Sequence, residues 1–416
     1  MLIGLAFIVP QKVIGERHYG VYATTQAMLT ALYMLTDSLA LQPMVNFGMA
    51  EERRRDVFTV SAVVHLLFII PTAAAIYLLR DPIAGFLNDD LFVPTLALFP
   101  VTASGFLLRN YFLKVAQLHI DTRATFLIDI AWIGTTIVLI LDGWRRGSLA
   151  TASDMMMISA IASGASSLVG LLIYGRTVRF TRRVDRAYAR RMIRFGLAQS
   201  GSAATLALQT QGDILILKSV VSSEIVANYD AAKKFFRAFE VLRDAGSLFV
   251  YPAVAKLSVE HRWGEVERLV EKMIAFMLIV IVPAVLIVWL APIELLFNWI
   301  YKGKYQDAPE IFRFLSLAAF AIPFSMNMFV LGGMGEARQF FRVTLGSALV
   351  SVAAALVLVP QIGVMGTVLS VIVSYGVLAI LSTRAVAGRI PISIPRALGR
   401  WRDARDFFLR RMKNEE

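Results

Sequence analysis

Between Val226 and Ala255 the chain is long enough to cross a bilayer, yet this stretch carries Asp230, Lys233, Lys234, Arg237, Glu240, Arg243 and Asp244. Charge inside hydrocarbon is costly and marks a pathway or a binding site. On a helix, Glu240, Lys233, Asp244, Arg237, Asp230 and Lys234 fall within an arc of roughly 120°. Arg243 lies off that arc. One face is therefore ionic and the rest apolar, as in a helix lining a wet cavity, or in one whose first half lies at the membrane surface. Lys233, Lys234 and Arg237 suit phosphate oxygens, lysine as a point charge and arginine as a bidentate fork. Asp230 and Lys234 are also spaced to satisfy each other at i,i+4. Three acids balance the three cations of the arc, and Arg243 adds one more cation.

Two further polar faces are legible in the sequence. In LALQTQGDILILK, Gln209 precedes Asp213 by one turn, and Gln199, Ser202 and Thr205 extend the stripe. Asp213, Asp230 and Asp244 are the candidates for a coupling proton or ion; pairing of Asp213 with Lys234 or Arg237 is the structural alternative. In the second apolar segment, Gln26, Thr30, Tyr33 and Asp37 form a polar face without cations. Asp129 lies deep in FLIDIAW, and Arg313 in PEIFRFLSL lies near enough to an interface to snorkel.

The elements that position these groups are membrane helices. Apolar residues make up 57% of the chain and charged residues 17%, a balance foreign to a soluble protein of this size. Twelve apolar segments lie near 1–15, 20–48, 56–79, 91–113, 124–142, 150–174, 195–217, 226–254, 269–290, 309–334, 337–360 and 362–386. Assigning loops alternately to two sides places 29 Lys/Arg on one and 8 on the other, with 5 inside segments. The positive-inside rule then puts both termini of a multi-pass membrane protein in the cytoplasm. The net charge of +12 is thereby a signal of topology and of anionic lipid headgroups, not of nucleic acid. Segment 1–15 is too short to span the hydrocarbon, so the first helix reads as truncated or as a half-helix.

The halves repeat. HYGVYATTQAM at 18–28 parallels IVANYDAAKKF at 225–235, so that Tyr22 matches Tyr229 and Asp37 matches Asp244. Pro71, Pro82 and Asn88 likewise match Pro283, Pro292 and Asn298. Six helices per copy is even, so the copies share one orientation, the parallel repeat of transporters with a central site between two lobes. The expected organisation is an N-lobe at 1–175, a basic cytoplasmic linker at 176–194, a C-lobe at 195–386 and a basic cytoplasmic tail at 387–416. The fold class is all-α and polytopic. The small-residue runs Ser163–Ser167 and Gly346–Ala355 read as close helix packing.

No enzyme is legible. There is no nucleophile with histidine and acid around it, and no Walker-type phosphate loop. With no cysteine, disulfides and thiolate metal sites are excluded, and the histidines at 18, 65, 119 and 261 have no metal-ligand spacing. No cofactor is expected.

GERHYGVYATTQAMLTALYMLTDSLALQPMVNFGM and DILILKSVVSSEIVANYDAAKKFFRAFEVLRDAGSLFVYPAVAKL carry a family resemblance. The chain resembles the polysaccharide-transporter branch of the multidrug/oligosaccharidyl-lipid/polysaccharide exporter superfamily, the O-antigen and exopolysaccharide repeat-unit flippases. The resembling positions are Gly15, Glu16, Tyr19, Gly20 and Tyr22 at the second helix, Asp213 in the seventh, and Tyr229, Ala232 and Pro252 in the eighth. The resemblance implies two six-helix lobes around a central cavity. It implies as substrate a polyprenyl-pyrophosphate-linked oligosaccharide, moved between leaflets for surface polysaccharide or lipopolysaccharide synthesis. Lys233, Lys234, Arg237 and Arg243 would then meet the phosphates, and Gln26, Asp37, Gln209 and Asp213 the sugars or an ion. Membrane lipids and other polysaccharide-assembly membrane proteins are the implied partners. The competing readings are an ion-coupled multidrug exporter of the same superfamily and a non-transporting scaffold of a glycan-assembly complex.

Overall fold

The computed structural model describes residues 11, 13–49, 53–391 and 394–399, and all regular elements among them are helices. The chain forms two compact units, residues 1–227 and 228–416. Seven of the described helical stretches are long and apolar enough to cross a membrane: Arg54–Leu78, Thr122–Arg145, Ala152–Tyr174, Trp263–Leu290, Ala308–Gly333, Ala337–Ile362 and Val364–Ala387. Each coincides with an apolar segment read from the sequence. The segment at 1–15 and the tail beyond 399 lie almost wholly outside the described residues.

The first unit opens with α1 (Glu16–Thr36), a π-helical turn (Asp37–Leu41) and α2 (Gln42–Phe47). The π turn inserts one extra residue per turn just before Pro43, which cannot donate a helical hydrogen bond. It rotates Asp37 relative to the rest of α1. There follow α3 (Arg54–Leu78), α4 (Arg80–Phe86), α5 (Phe92–Ala97), α6 (Phe99–Leu118), α7 (Thr122–Arg145), α8 (Ala152–Tyr174) and α9 (Arg186–Val220). Two apolar clusters hold this unit, one toward each end of its helices. One gathers Val21, Leu29, Ile69, Phe92, Phe99 and Met156; the other gathers Met44, Phe58, Tyr111, Phe112, Ile128 and Met192. Lipid tails are as apolar as these side chains, so such contacts stabilise by close packing more than by exclusion of water.

The packing is close because small residues face it. A methyl on Gly105 would sit 2.2 Å from Ser163 Oγ. Ser167 donates to Gly105 O at 2.9 Å and Ser166 to Ile128 O at 2.7 Å, so the serine run knits α8 to α6 and α7. Several buried hydroxyls elsewhere bond back onto their own helix, as Thr24 does to Gly20 O at 2.9 Å and Thr25 to Val21 O at 2.9 Å. That satisfies them without water.

α9 begins nine residues before the apolar segment read from the sequence. Asp185 caps it, accepting from the amides of Ala187 and Tyr188. The arginine-rich stretch treated as linker is therefore partly helix. α9 packs along α1 and the π turn. It thus lies in the first compact unit, whereas the sequence reading assigned it to the C-lobe.

α10 (Ser223–Val259) starts in the first unit and runs into the second. The second unit continues with α11 (Trp263–Leu290), α12 (Ile293–Tyr301) and α13 (Ala308–Ser316). After a 3-10 turn come α14 (Ile322–Ser325), α15 (Asn327–Gly333), α16 (Ala337–Ile362), α17 (Val364–Ala387) and α18 (Ile394–Gly399). Within each unit a long helix carries an internal proline, Pro71 in α3 and Pro283 in α11, and a short helix follows it. The sequence repeat thus has a counterpart in element order. α16 and α17 pack closely along each other, Ser347 donating to Ser374 O at 2.9 Å.

Candidate functional site

In the second unit, the charges of α10 close into a ring. Arg237 donates from Nη1 to Glu240 Oε2 at 2.7 Å and from Nη2 to Asp244 Oδ2 at 3.0 Å. Arg243 donates from Nε and Nη2 to Asp244 Oδ1 at 3.2 and 3.0 Å. Its Nη1 reaches the hydroxyl of Tyr375 at 3.2 Å, and that hydroxyl donates to Glu240 Oε1 at 2.6 Å. Five residues thus form one circuit in which both oxygens of each carboxylate are engaged. Such charge-assisted bonds are the short, strong ones.

The ring is not uniform. Arg243 is 14% exposed and lies with its guanidinium carbon 5.9 Å from the centre of the Tyr375 ring. Arg237 is 54% exposed. Arg243 is therefore a fixed structural cation, and Arg237 is the one an outside anion can reach. The helical wheel had set Arg243 apart from the arc. Tyr375, on α17, explains its direction by bridging it back to Glu240. Sequence reading did not single out Tyr375; its only signal was a lone phenol in an otherwise apolar span.

One turn earlier, Lys234 pairs with Asp230 at 3.2 Å, the i,i+4 pairing open in the sequence. Lys233 Nζ lies 6.0 Å from the centre of the Tyr229 ring. Lys233, Lys234, Arg237, Arg243, Asp230 and Asp244 are therefore neighbours along one helix.

The remaining candidates lie in the first unit and form separate groups. Gln26 donates to the Tyr22 hydroxyl at 3.1 Å and to Ser159 Oγ at 3.3 Å, a neutral polar triad between α1 and α8. Asp37 pairs with Lys114 Nζ at 3.0 Å and accepts from Gln42 at 3.3 Å. The face itself carries no cation, and Asp37 takes its partner from α6. Lys114, one residue past the apolar segment read at 91–113, belongs to α6, as does Arg109, which pairs with Asp129 at 2.5 Å and lies 5.0 Å from the centre of the Trp132 ring. Asp213 is buried on α9 and accepts the amide of Ile214 at 2.8 Å; Gln209 stands half-buried one turn before it. In the second unit, Arg313 pairs with Glu294 at 2.7 Å, close to Ala291 O.

A further polar knot was not anticipated. Asp89, in the 87–91 turn, accepts from Arg17 at 3.0 Å and from Ser223 at 2.5 Å. Burial alone pushes this carboxyl up, but the bonds from Arg17, Ser223 and the Leu91 amide outweigh it and hold it below the usual carboxylate range. Lys218, buried beside it, donates to Leu87 O at 2.6 Å. Gly20 is pressed against the same α9–α10 turn: a Cβ there would lie 1.8 Å from Ser223 O. Among the described residues no cluster of three or more His, Cys, Asp or Glu side chains could hold a metal ion.

The chain, whose described regular elements are all helices, is similar in fold to several solved structures. It resembles a multidrug resistance MATE family transporter of the MOP superfamily in its inward-facing conformation, with a TM-score of 0.80, 14% identity and 94% of each chain covered. It resembles the lipid II flippase MurJ in an inward closed conformation, with a TM-score of 0.69, 9% identity, and 92% of this chain and 85% of that one covered. A MOP superfamily transporter from Pyrococcus furiosus matches with a TM-score of 0.60, 16% identity, and 94% of this chain and 95% of that one covered. At such identities the likeness is one of fold, and with its apolar spans the chain is a multi-pass membrane protein. No curated protein matches the chain. The family described as "Polysaccharide biosynthesis protein" matches residues 1–258, and the chain belongs to that family.

Proposed function

We propose that this protein is a flippase that moves polyprenyl-pyrophosphate-linked oligosaccharide repeat units across the bacterial cytoplasmic membrane for surface polysaccharide assembly. The observation that carries the reading is the half-exposed Arg237, held by two carboxylates that an incoming anion can replace. A pyrophosphate cannot cross hydrocarbon alone, because an isolated charge in a low dielectric costs many kcal/mol. A guanidinium already lodged inside the protein removes much of that cost, and its planar fork matches phosphate oxygens.

The ring suggests how binding is kept reversible. When the head group takes Arg237, Asp244 keeps Arg243 and Glu240 keeps Tyr375, so neither acid is stranded. When the head group leaves, the internal pairs re-form and compete against rebinding. Asp244, half exposed, is the acid a proton or cation would neutralise in the loaded state; Asp213 and Asp230 are further candidates for that coupling. Lys233 and Lys234 extend the cationic side of α10, and Gln26, Asp37 and Gln209 are the polar groups assigned to sugar contact. The family description favours this reading over a multidrug exporter or a non-transporting scaffold. No catalytic step is assigned to the chain, and both termini are placed in the cytoplasm.

The test is deletion of the gene in its host, followed by analysis of lipid-linked oligosaccharides and surface polymer. Repeat units stranded on polyprenyl pyrophosphate in the inner leaflet are expected. Normal polymer without stranded lipid, in a host with no second flippase, would overturn the reading.

A further inference from the structure

The face of α10 that carries the ring does not end with it. Arg237, Asp244, Leu248 and Tyr251 are spaced by seven, four and three residues, which places them within an arc of about 60°. Past Asp244 this face turns apolar and forms one wall of a cleft of about 410 Å³ lined by Ser247, Leu248, Tyr251, Pro252, Phe329 and Phe340. The cleft belongs entirely to the second unit, between α10, α15 and α16. Its size is that of a site for a small organic ligand, roughly 300–1,000 Å³. Leu248 is 74% exposed and Tyr251 48%, so the wall is accessible.

Ring and cleft are joined within one helical turn. Ser247, which lines the cleft, donates to the backbone oxygen of Asp244, a ring member, at 2.7 Å. From Arg237 to Leu248 the helix rises about 16 Å. A ligand that used both sites would need an anion for Arg237 joined, over that distance, to an apolar chain. Phe329 and Phe340 flank the short turn between two apolar spans, so the cleft lies near one membrane end of the unit. That turn follows the tenth apolar segment and so falls on the side to which the alternating assignment gives 29 Lys/Arg.

We infer that this cleft holds the first isoprene units of a polyprenyl phosphate lipid, keeping the chain in the leaflet of origin while the head group reaches Arg237. A branched, unsaturated chain meets here three aromatic rings and a leucine, with Ser247 the single hydroxyl-bearing side chain apart from Tyr251. This inference rests on the flippase reading, whose substrate it divides into head and tail.

The absence of cysteine makes the test direct. Leu248→Cys places a thiol in the cleft; Phe249→Cys, at a residue 77% exposed but on another face of α10, is the control. Each variant is purified in full length into phosphatidylglycerol nanodiscs and labelled with a maleimide, with or without polyprenyl phosphate. At ten times its dissociation constant a bound lipid leaves about a tenth of the sites open, so labelling at 248 should slow about tenfold while 249 is unchanged. Inorganic pyrophosphate alone should not protect 248. Equal protection of both positions, or of neither, would overturn the inference. Ser247→Cys, at the rim, serves if Leu248→Cys does not fold.

Translocation of a lipid-linked oligosaccharide in proteoliposomes separates the two claims. Protection without translocation would remove the flippase reading and leave the cleft. Translocation without protection would remove the cleft and leave the flippase.

Discussion

Tyr375→Phe is the cleanest perturbation of the ring. It deletes one oxygen and keeps the ring face that Arg243 overlies and the edge contact with Phe236 at 5.7 Å. Two bonds are lost: the 2.6 Å donation to Glu240 and the 3.2 Å acceptance from Arg243. A hydrogen bond to a charged group contributes about 1.5–3 kcal/mol net. The first loss lies in that range and the second, longer bond adds little. Glu240 retains Arg237 and Arg243 retains Asp244, so neither charge is left alone, and the total should be about 2 kcal/mol. Equilibrium unfolding in mixed micelles, followed by the fluorescence of the six tryptophans, measures it. A double-mutant cycle with Glu240→Gln isolates the bridge, and a coupling of at least about 1 kcal/mol is expected. A coupling under about 0.3 kcal/mol, the scatter of independent sites, would refute the closed circuit.

Other outcomes follow from the same contacts. Gly20→Ala drives a methyl into the backbone of Ser223, which cannot rotate away, and should destabilise by about 1–3 kcal/mol or more; wild-type thermal stability would contradict the packing. Lys114→Gln leaves Asp37 without its cation, whereas Asp37→Asn with Lys114→Gln removes both charges. The double variant should recover at least half of the single variant's loss in the same unfolding assay. The Arg53 guanidinium, with the Tyr188 and Ala187 amides, holds the Asp185 carboxyl below the usual carboxylate range. Its contribution is thus complete above the unfolded value near 4 and disappears as pH falls through the lower folded value. The melting-temperature gap between wild type and Asp185→Asn should be constant from pH 8 to 5 and close in stronger acid.

Much of the fold was legible because hydropathy and length set membrane helices directly. The spans at 54–78, 122–145, 152–174, 308–333 and 337–362 lie within a few residues of the segments read. What hydropathy misses is helix made of charge. α9 starts at Arg186 because Asp185 caps it, although its first turns are rich in arginine. The segment read at 91–113 stops short of Lys114 for the same reason, yet acids on neighbouring elements hold Arg109 and Lys114 inside α6, which runs to Leu118. The ionic face of α10 was legible from 100° periodicity alone. Its closure was not, since Tyr375 lies 135 positions from Glu240 and only tertiary packing joins them. The Arg17–Asp89–Ser223 knot was hidden likewise, its members being ordinary loop and cap residues until the chain folds.

The most direct test is translocation of a polyprenyl-pyrophosphate-linked oligosaccharide in proteoliposomes, read by access of an external glycosidase to the sugar. Wild type and Arg237→Ala are compared after both have been shown to unfold alike. The account predicts sugar appearing on the far side with wild type and at background rate with Arg237→Ala. Equal translocation by both, or none by folded wild type, would contradict it.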